Sequence, residues 1–183
     1  MSDINIPFNL KLNIFSYIFF FSLDISLDLL LCLNAIKDNE QLTPLGLHLA
    51  QLPIDPQTGK MVLLGAIFGC LDPILSVAAS LSFKDAFQIP LGQEEEVDEK
   101  KRELSCNSNS DHVVMINAIQ WWEEAKQRGD ARRFCSDNFL SVNILNNLAS
   151  HKEQLAKHLK DKNFIASPSP KGTYIQFDSF MSK

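Results

Sequence analysis

The sequence predicts an all-α protein. Three observations carry that reading. Apolar residues recur at spacings of three and four along most of the 183 residues. Helix-start pairs precede them at Thr43-Pro44, Asp72-Pro73 and Ser110-Asp111. Alternation of the strand kind is confined to two short stretches near the end, "NFIAS" from Asn163 and "TYIQF" from Thr173.

The elements follow in order. "DISLDLLLCLNAI", residues 24–36, places apolar residues on one helical face and ends at the polar turn "KDNEQ". Thr43 suits an N-cap, and Pro44 the first helical position of a short helix carrying Leu45, Leu49 and Leu52. "PIDPQTG" reads as a proline turn that no helix interior can contain. Residues 61–70 and 73–81 read as two buried helices, the second capped by Asp72, with Gly65 and Gly69 allowing close packing. "FKDAFQIPLGQ" reads as an extended linker anchored by Phe83, Phe87 and Ile89. Glu94 to Leu104 is a solvated charged helix, acidic first and basic later, in the sense that suits a helix dipole. A polar loop then leads to a long helix capped by Ser110 or Asp111 and ending near Gly129. Two further helices are expected at about 134–140 and 141–161.

A net charge of −5 excludes a chain-wide attraction to nucleic acid or anionic lipid, so any such binding needs a local face. The four cysteines form no CxxC pair and are expected to be free thiols. The uncharged apolar run from Leu12 to Leu23 is about 12 residues long, short of the roughly 20 that a spanning helix needs. Membrane attachment through residues 12–33 is the competing view.

Candidate chemistry is sparse. Gly59-Lys60 opens an apolar run as a phosphate loop would. Met61 follows where a P-loop needs a hydroxyl, and the first glycine of that motif is missing. The plain reading is a turn glycine and an interfacial lysine. Asp111 and His112 are neighbours on a helix and point about 100° apart, so they form no dyad. A helix start with Ser108, Ser110 and His112 could instead hold an RNA phosphate. The four histidines are scattered and gather no metal ligands. Trp121-Trp122 with Arg128, Arg132 and Arg133 could stack bases, against one tryptophan in the core and one half-exposed. No catalytic residue is identified.

The middle of the chain resembles the helicase-associated region of DEAH-box/RNA-helicase-A-type RNA helicases. The resemblance rests on "LTPLG", a Leu-Pro-x-x-Pro, Gly-Lys-Met, Cys-Leu-Asp-Pro, "SDHVVMINAIQWW" and "FCSDNFLSVNIL", in that order over about residues 26–167. It is nearest in look to animal helicases that unwind G-quadruplexes. The resemblance implies a partial winged helix over 24–58 and a ratchet helical bundle over 59–167. It leaves 1–23 as a foreign apolar start and 168–183 as a divergent tail. In the family the ratchet closes over single-stranded RNA together with the motor domains. It therefore implies Ser110, Asp111, His112 and Asn117 as RNA-facing candidates, with Arg132 and Arg133 added from the residue reading. ATP and Mg2+ belong to the family's motor domains, whose motifs this sequence lacks. No cofactor, no metal and no ATPase of its own are expected here. The implied partners are single-stranded or structured RNA, G-quadruplexes included, and helicase motor domains, in the cytoplasm or nucleus. The alternative is a protein-interaction module. The sequence departs from the family in its truncated look, and in Ala86, which stands where relatives carry proline.

Overall fold

A computed structural model describes the backbone over residues 8–165 and the side-chain environments over 20–165. Eight helices and no strand occur among the described residues. They divide into two compact units between Lys60 and Met61.

The first unit begins with α1 (Phe8–Cys32). The helix expected over 24–36 thus starts further upstream and stops earlier. No glycine or proline interrupts Phe8–Cys32, so nothing breaks the helix at residue 23. It ends where Asn34 turns left-handed at φ 60°, with the Ala35 N–H donating back to the Leu30 carbonyl. Helix α2 (Pro44–Leu49) starts as expected. The Thr43 hydroxyl accepts from the Gly46 N–H at 2.9 Å and lies 2.7 Å from the Asn34 carbonyl oxygen, to which it donates. An isolated Ile36–Leu42 bridge closes the intervening turn.

Helix α3 (Pro56–Ile67) corrects the proline-turn reading. Pro56 occupies its first position, where a missing N–H costs nothing. Asp55 caps it, its Oδ1 accepting from the Thr58 N–H at 2.9 Å. Burial pushes the Asp55 carboxyl up, but hydrogen bonds from Thr58 and Gln57 outweigh that and hold it below its usual range. Gly59 therefore lies inside the helix, not in a turn. A Cβ there would sit 3.1 Å from Leu49 Cδ2, so glycine permits close packing. The Lys60 ammonium donates to the Leu33 carbonyl at 3.0 Å, just past the end of α1.

The second unit contains the rest of α3, then α4 (Leu71–Leu81), α5 (Glu94–Leu104), α6 (Asp111–Arg128), α7 (Ala131–Asp137) and α8 (Val142–Asp161). Helix α6 is central and packs on α4, α5, α7 and α8, while α4 also lies along α8. Val97, Leu104, Val114, Ile119, Trp122 and Leu145 belong to one buried core. The charged helix is thus not solvated all round: Val97 and Leu104 lock α5 onto α6. Of the tryptophans, Trp122 is buried and Trp121 half-buried, as expected, and Lys126 Nζ lies 5.0 Å from the Trp122 ring centroid.

Several boundaries differ from expectation for identifiable reasons. Gly65 does bring α3 and α4 together, since a Cβ would meet Ile74 at 3.0 Å. Gly69 does not; with φ 71° and open space around it, it terminates α3. The chain then enters α4 at once, so Cys70 is the N-cap and Asp72 lies in the first turn. There its Oδ1 meets Lys152 Nζ of α8 at 2.9 Å. The linker is anchored by Ala86 and Phe87, whereas Phe83 and Ile89 are exposed. It is held by the α7–α8 junction: the Gln88 N–H donates to the Phe139 carbonyl at 2.7 Å, and the Ser141 N–H to the Ala86 carbonyl at 2.9 Å. Helix α6 ends at Gly129, φ 87°. Helix α7 starts a turn earlier than expected and stops before Phe139, which takes the left-handed position at φ 54°. Phe164 and Ile165 of "NFIAS" are buried after α8 without strand pairing. "TYIQF" and the 168–183 tail lie outside the described residues.

Candidate nucleic-acid interface

The loop from Ser105 to Ser110 joins the end of α5 to the start of α6. Three of its non-glycine residues are left-handed: Cys106, Asn107 and Asn109, at φ 50°, 60° and 52°. Asn117 holds this loop from behind. Its amide Nδ2 donates to the Leu104 carbonyl at 2.6 Å and lies 3.7 Å from Cys106 Sγ. That bond satisfies one of the carbonyls left over at the end of α5. It also ties the end of α5 to the second turn of α6.

At that start, Ser110 is the N-cap, with no side-chain cap hydrogen bond, and Asp111 and His112 are exposed. A groove of about 290 Å³ opens here, with Lys101, Arg102, Ser105, Asn109 and Ser110 in its walls. A second cavity of about 420 Å³ lies beside it and includes Phe83, Lys84, Phe87, His112 and Met115. Lys101, Asp111 and Val114 line both. Lys101 Nζ sits 4.9 Å from the Phe87 ring centroid, so the ring face supports its charge. The first N–H groups of an 18-residue helix add positive potential at the same place. Asp98 and Asp111 partly offset it.

The structure sorts the residues singled out from sequence. Ser110, Asp111 and His112 come together at the cavities. Asn117 lines neither, its amide being bonded to the Leu104 carbonyl. Arg132 and Arg133 lie on α7, exposed and outside both cavities, and Arg133 Nε is 3.6 Å from Asp137. Lys84, Lys101 and Arg102 were missed. Lys101 and Arg102 read as dipole-complementing charges at the end of α5, and Lys84 as part of a linker. The only signal was "KKR" one loop before "SDH". Among the described residues no three His, Cys, Asp or Glu side chains gather as metal ligands. Among them, too, no helix is long and apolar enough to cross a membrane. All four cysteines are free.

Comparison with known proteins places these features in a family. The winged-helix part of the helicase associated domain HA2 matches residues 26–54, and its ratchet-like part matches residues 55–115. The chain belongs to the HA2 helicase-associated family. The rat ATP-dependent DNA/RNA helicase DHX36 is 50% identical over 157 residues, covering 85% of this chain and 16% of the relative. The Arabidopsis thaliana DExH-box ATP-dependent RNA helicase DExH1 is 40% identical over 152 residues, or 83% and 15%. The mouse ATP-dependent RNA helicase DHX29 is 40% identical over 151 residues, or 80% and 11%. The chain thus spans less than a fifth of each of these relatives. The HA2 ratchet match begins at Asp55, the cap of α3, and ends at Met115 in α6. It therefore includes the groove and the second cavity, and leaves Asn117, Arg132 and Arg133 beyond its end.

Proposed function

We propose that this chain is an RNA-binding helicase-associated module that works as part of an ATP-dependent DEAH/DExH-type RNA helicase. The observation that carries the reading is the groove at the start of α6. It combines Lys101 and Arg102 with the hydroxyls of Ser105 and Ser110 and a free helix N-terminus. Cations and helix N–H groups are the donors that fix a nucleic-acid backbone without reading its sequence. Single-stranded RNA fits this better than a duplex, because the cavity beside the groove has an exposed aromatic, Phe83, in its lining. In a complete helicase, ATP and Mg2+ would be held by motor domains. This chain would then guide the strand during unwinding of structured RNA, G-quadruplexes included, in the cytoplasm or nucleus. The isolated chain hydrolyses no ATP; RNA-stimulated hydrolysis by the purified chain would refute that part.

The binding test is a salt titration with single-stranded RNA. Replacing Lys101 and Arg102 by alanine removes two phosphate contacts. The slope of log affinity against log salt should fall by about 1.4, at roughly 0.7 per contact for single strands. An unchanged slope would overturn the assignment of this groove. A second reading is supported by Ile67 and Phe68 near the end of α3, both strongly exposed. An apolar patch of that kind favours docking of the motor domains. Co-purification with a separately expressed motor half, lost on Phe68→Ser, would support it.

A further inference from the structure

The geometry points to the cavity beside the phosphate groove as a pocket for one unstacked nucleobase of a bound single strand. This inference rests on the RNA-binding reading and adds to it a base-contacting compartment. Phe83 is the side chain that suggests it. A phenylalanine exposed over 41% of its surface is ordinarily free to swing. Here its ring is held edge-to-face against His151, centroids 5.1 Å apart at 73°. The ring is therefore pre-oriented while still open to solvent, as a stacking platform requires. Phe87, buried in the core, also lines the cavity and lies under the Lys101 ammonium.

Size, lining and charge agree with that occupant. The volume of about 420 Å³ lies within the roughly 300–1,000 Å³ of small-ligand sites. Val114 and Met115 supply apolar surface, Lys84, Lys101 and His112 supply donors, and the Asp85 and Asp111 carboxylates balance the two lysines, which suits an uncharged base. Lys101 and Asp111 are shared with the phosphate groove, so a strand whose phosphate rests on Lys101 can turn the attached base through that wall. Asp111 can then accept from an exocyclic amino group. Sequence-tolerant single-strand binding combines these parts: an aromatic face for the base and cations for the backbone.

The test compares, on the full chain, a single-stranded RNA with an abasic strand of the same length and phosphate spacing. Stacking of one base predicts about 5- to 150-fold tighter binding of the intact strand. Phe83→Ala should abolish that preference, and Phe83→Trp should restore it. Equal wild-type affinity for the two strands overturns the base pocket and leaves the phosphate groove standing. Absence of binding to either strand overturns the RNA-binding reading itself. The wild-type comparison decides the matter even if the alanine variant does not fold.

Discussion

Gly46→Ala sets two physical effects against each other, and the structure says which wins. Gly46 lies inside α2, where alanine is the better helix former by about 1 kcal/mol. Propensity alone therefore predicts a gain. The space around Gly46 predicts the reverse. A Cβ would stand 1.9 Å from the Ala35 carbonyl oxygen and 2.9 Å from its carbon. Both atoms are backbone, so no rotamer change relieves the contact. Helix α2 must retreat by about 1 Å before the contact becomes tolerable. That retreat pulls on the Thr43 N–H, 2.9 Å from the same Ala35 oxygen, and on the Thr43 hydroxyl. These bonds contribute about 0.5–1.5 kcal/mol each. Subtracting the helix gain leaves a net loss of about 1–3 kcal/mol, the usual range for overpacking. The assay is hydrogen exchange of the amides between residues 34 and 50. Those of Thr43 and Ala50 should exchange about 5- to 150-fold faster than in the wild type, provided exchange follows local opening. Unchanged or slower exchange would refute the reasoning, because it would mean that propensity outweighs the contact.

Four further outcomes are expected. Asn117→Leu strands the Leu104 carbonyl and should cost about 1–3 kcal/mol in urea denaturation, with Asn117→Gln no substitute because the 2.6 Å geometry is lost. Gly129→Ala forces a left-handed residue at φ 87° and should cost about 1 kcal/mol, read as a lowered urea midpoint at constant slope. Lys152→Met removes the partner of Asp72, which is 37% exposed; the loss should be about 1 kcal/mol and should shrink in high salt. Burial raises the Glu123 carboxyl above its ordinary 4.5, with Lys152 opposing and Asp72 adding to it. The folded state thus holds this proton more tightly than the unfolded state. Its stabilising contribution is full below pH 4.5 and is lost as pH rises through the folded value. Glu123→Gln should therefore be more stable than wild type at neutral pH, and the difference should vanish in acid; a difference independent of pH would contradict this.

Helix existence was legible wherever apolar period and cap agreed. Thr43, Ser110 and Gly129 all stand at helix ends, as expected from their residue types. The failures came from residues with two physical meanings. Proline excludes a helix interior but favours a helix start, and "PIDPQTG" turned on which of those Pro56 obeyed. Gly59, Gly65 and Gly69 look alike in sequence, yet two admit a neighbour and one reverses the chain. Phe139 in a left-handed position has no sequence signal; long-range pairing with the linker fixes it. The candidate site was half legible for the same reason. Ser110, Asp111 and His112 announced a helix start. Lys84 and Lys101 join them only because the linker and α5 fold against α6, which no local spacing encodes.

The pairing of the linker with the α7–α8 junction also bears on how the protein is made. Residues 86–88 leave the ribosome well before 139–141, the residues that pair with them. Until Ser141 has emerged, the Ala86 carbonyl and the Gln88 N–H lack these partners, and Ala86 and Phe87 lack Leu140 as cover. Contacts so distant along the chain form late. The wall that carries Phe83 is therefore completed late, and a nascent chain arrested within α7 would display a sticky, unpaired linker to chaperones instead of a finished pocket.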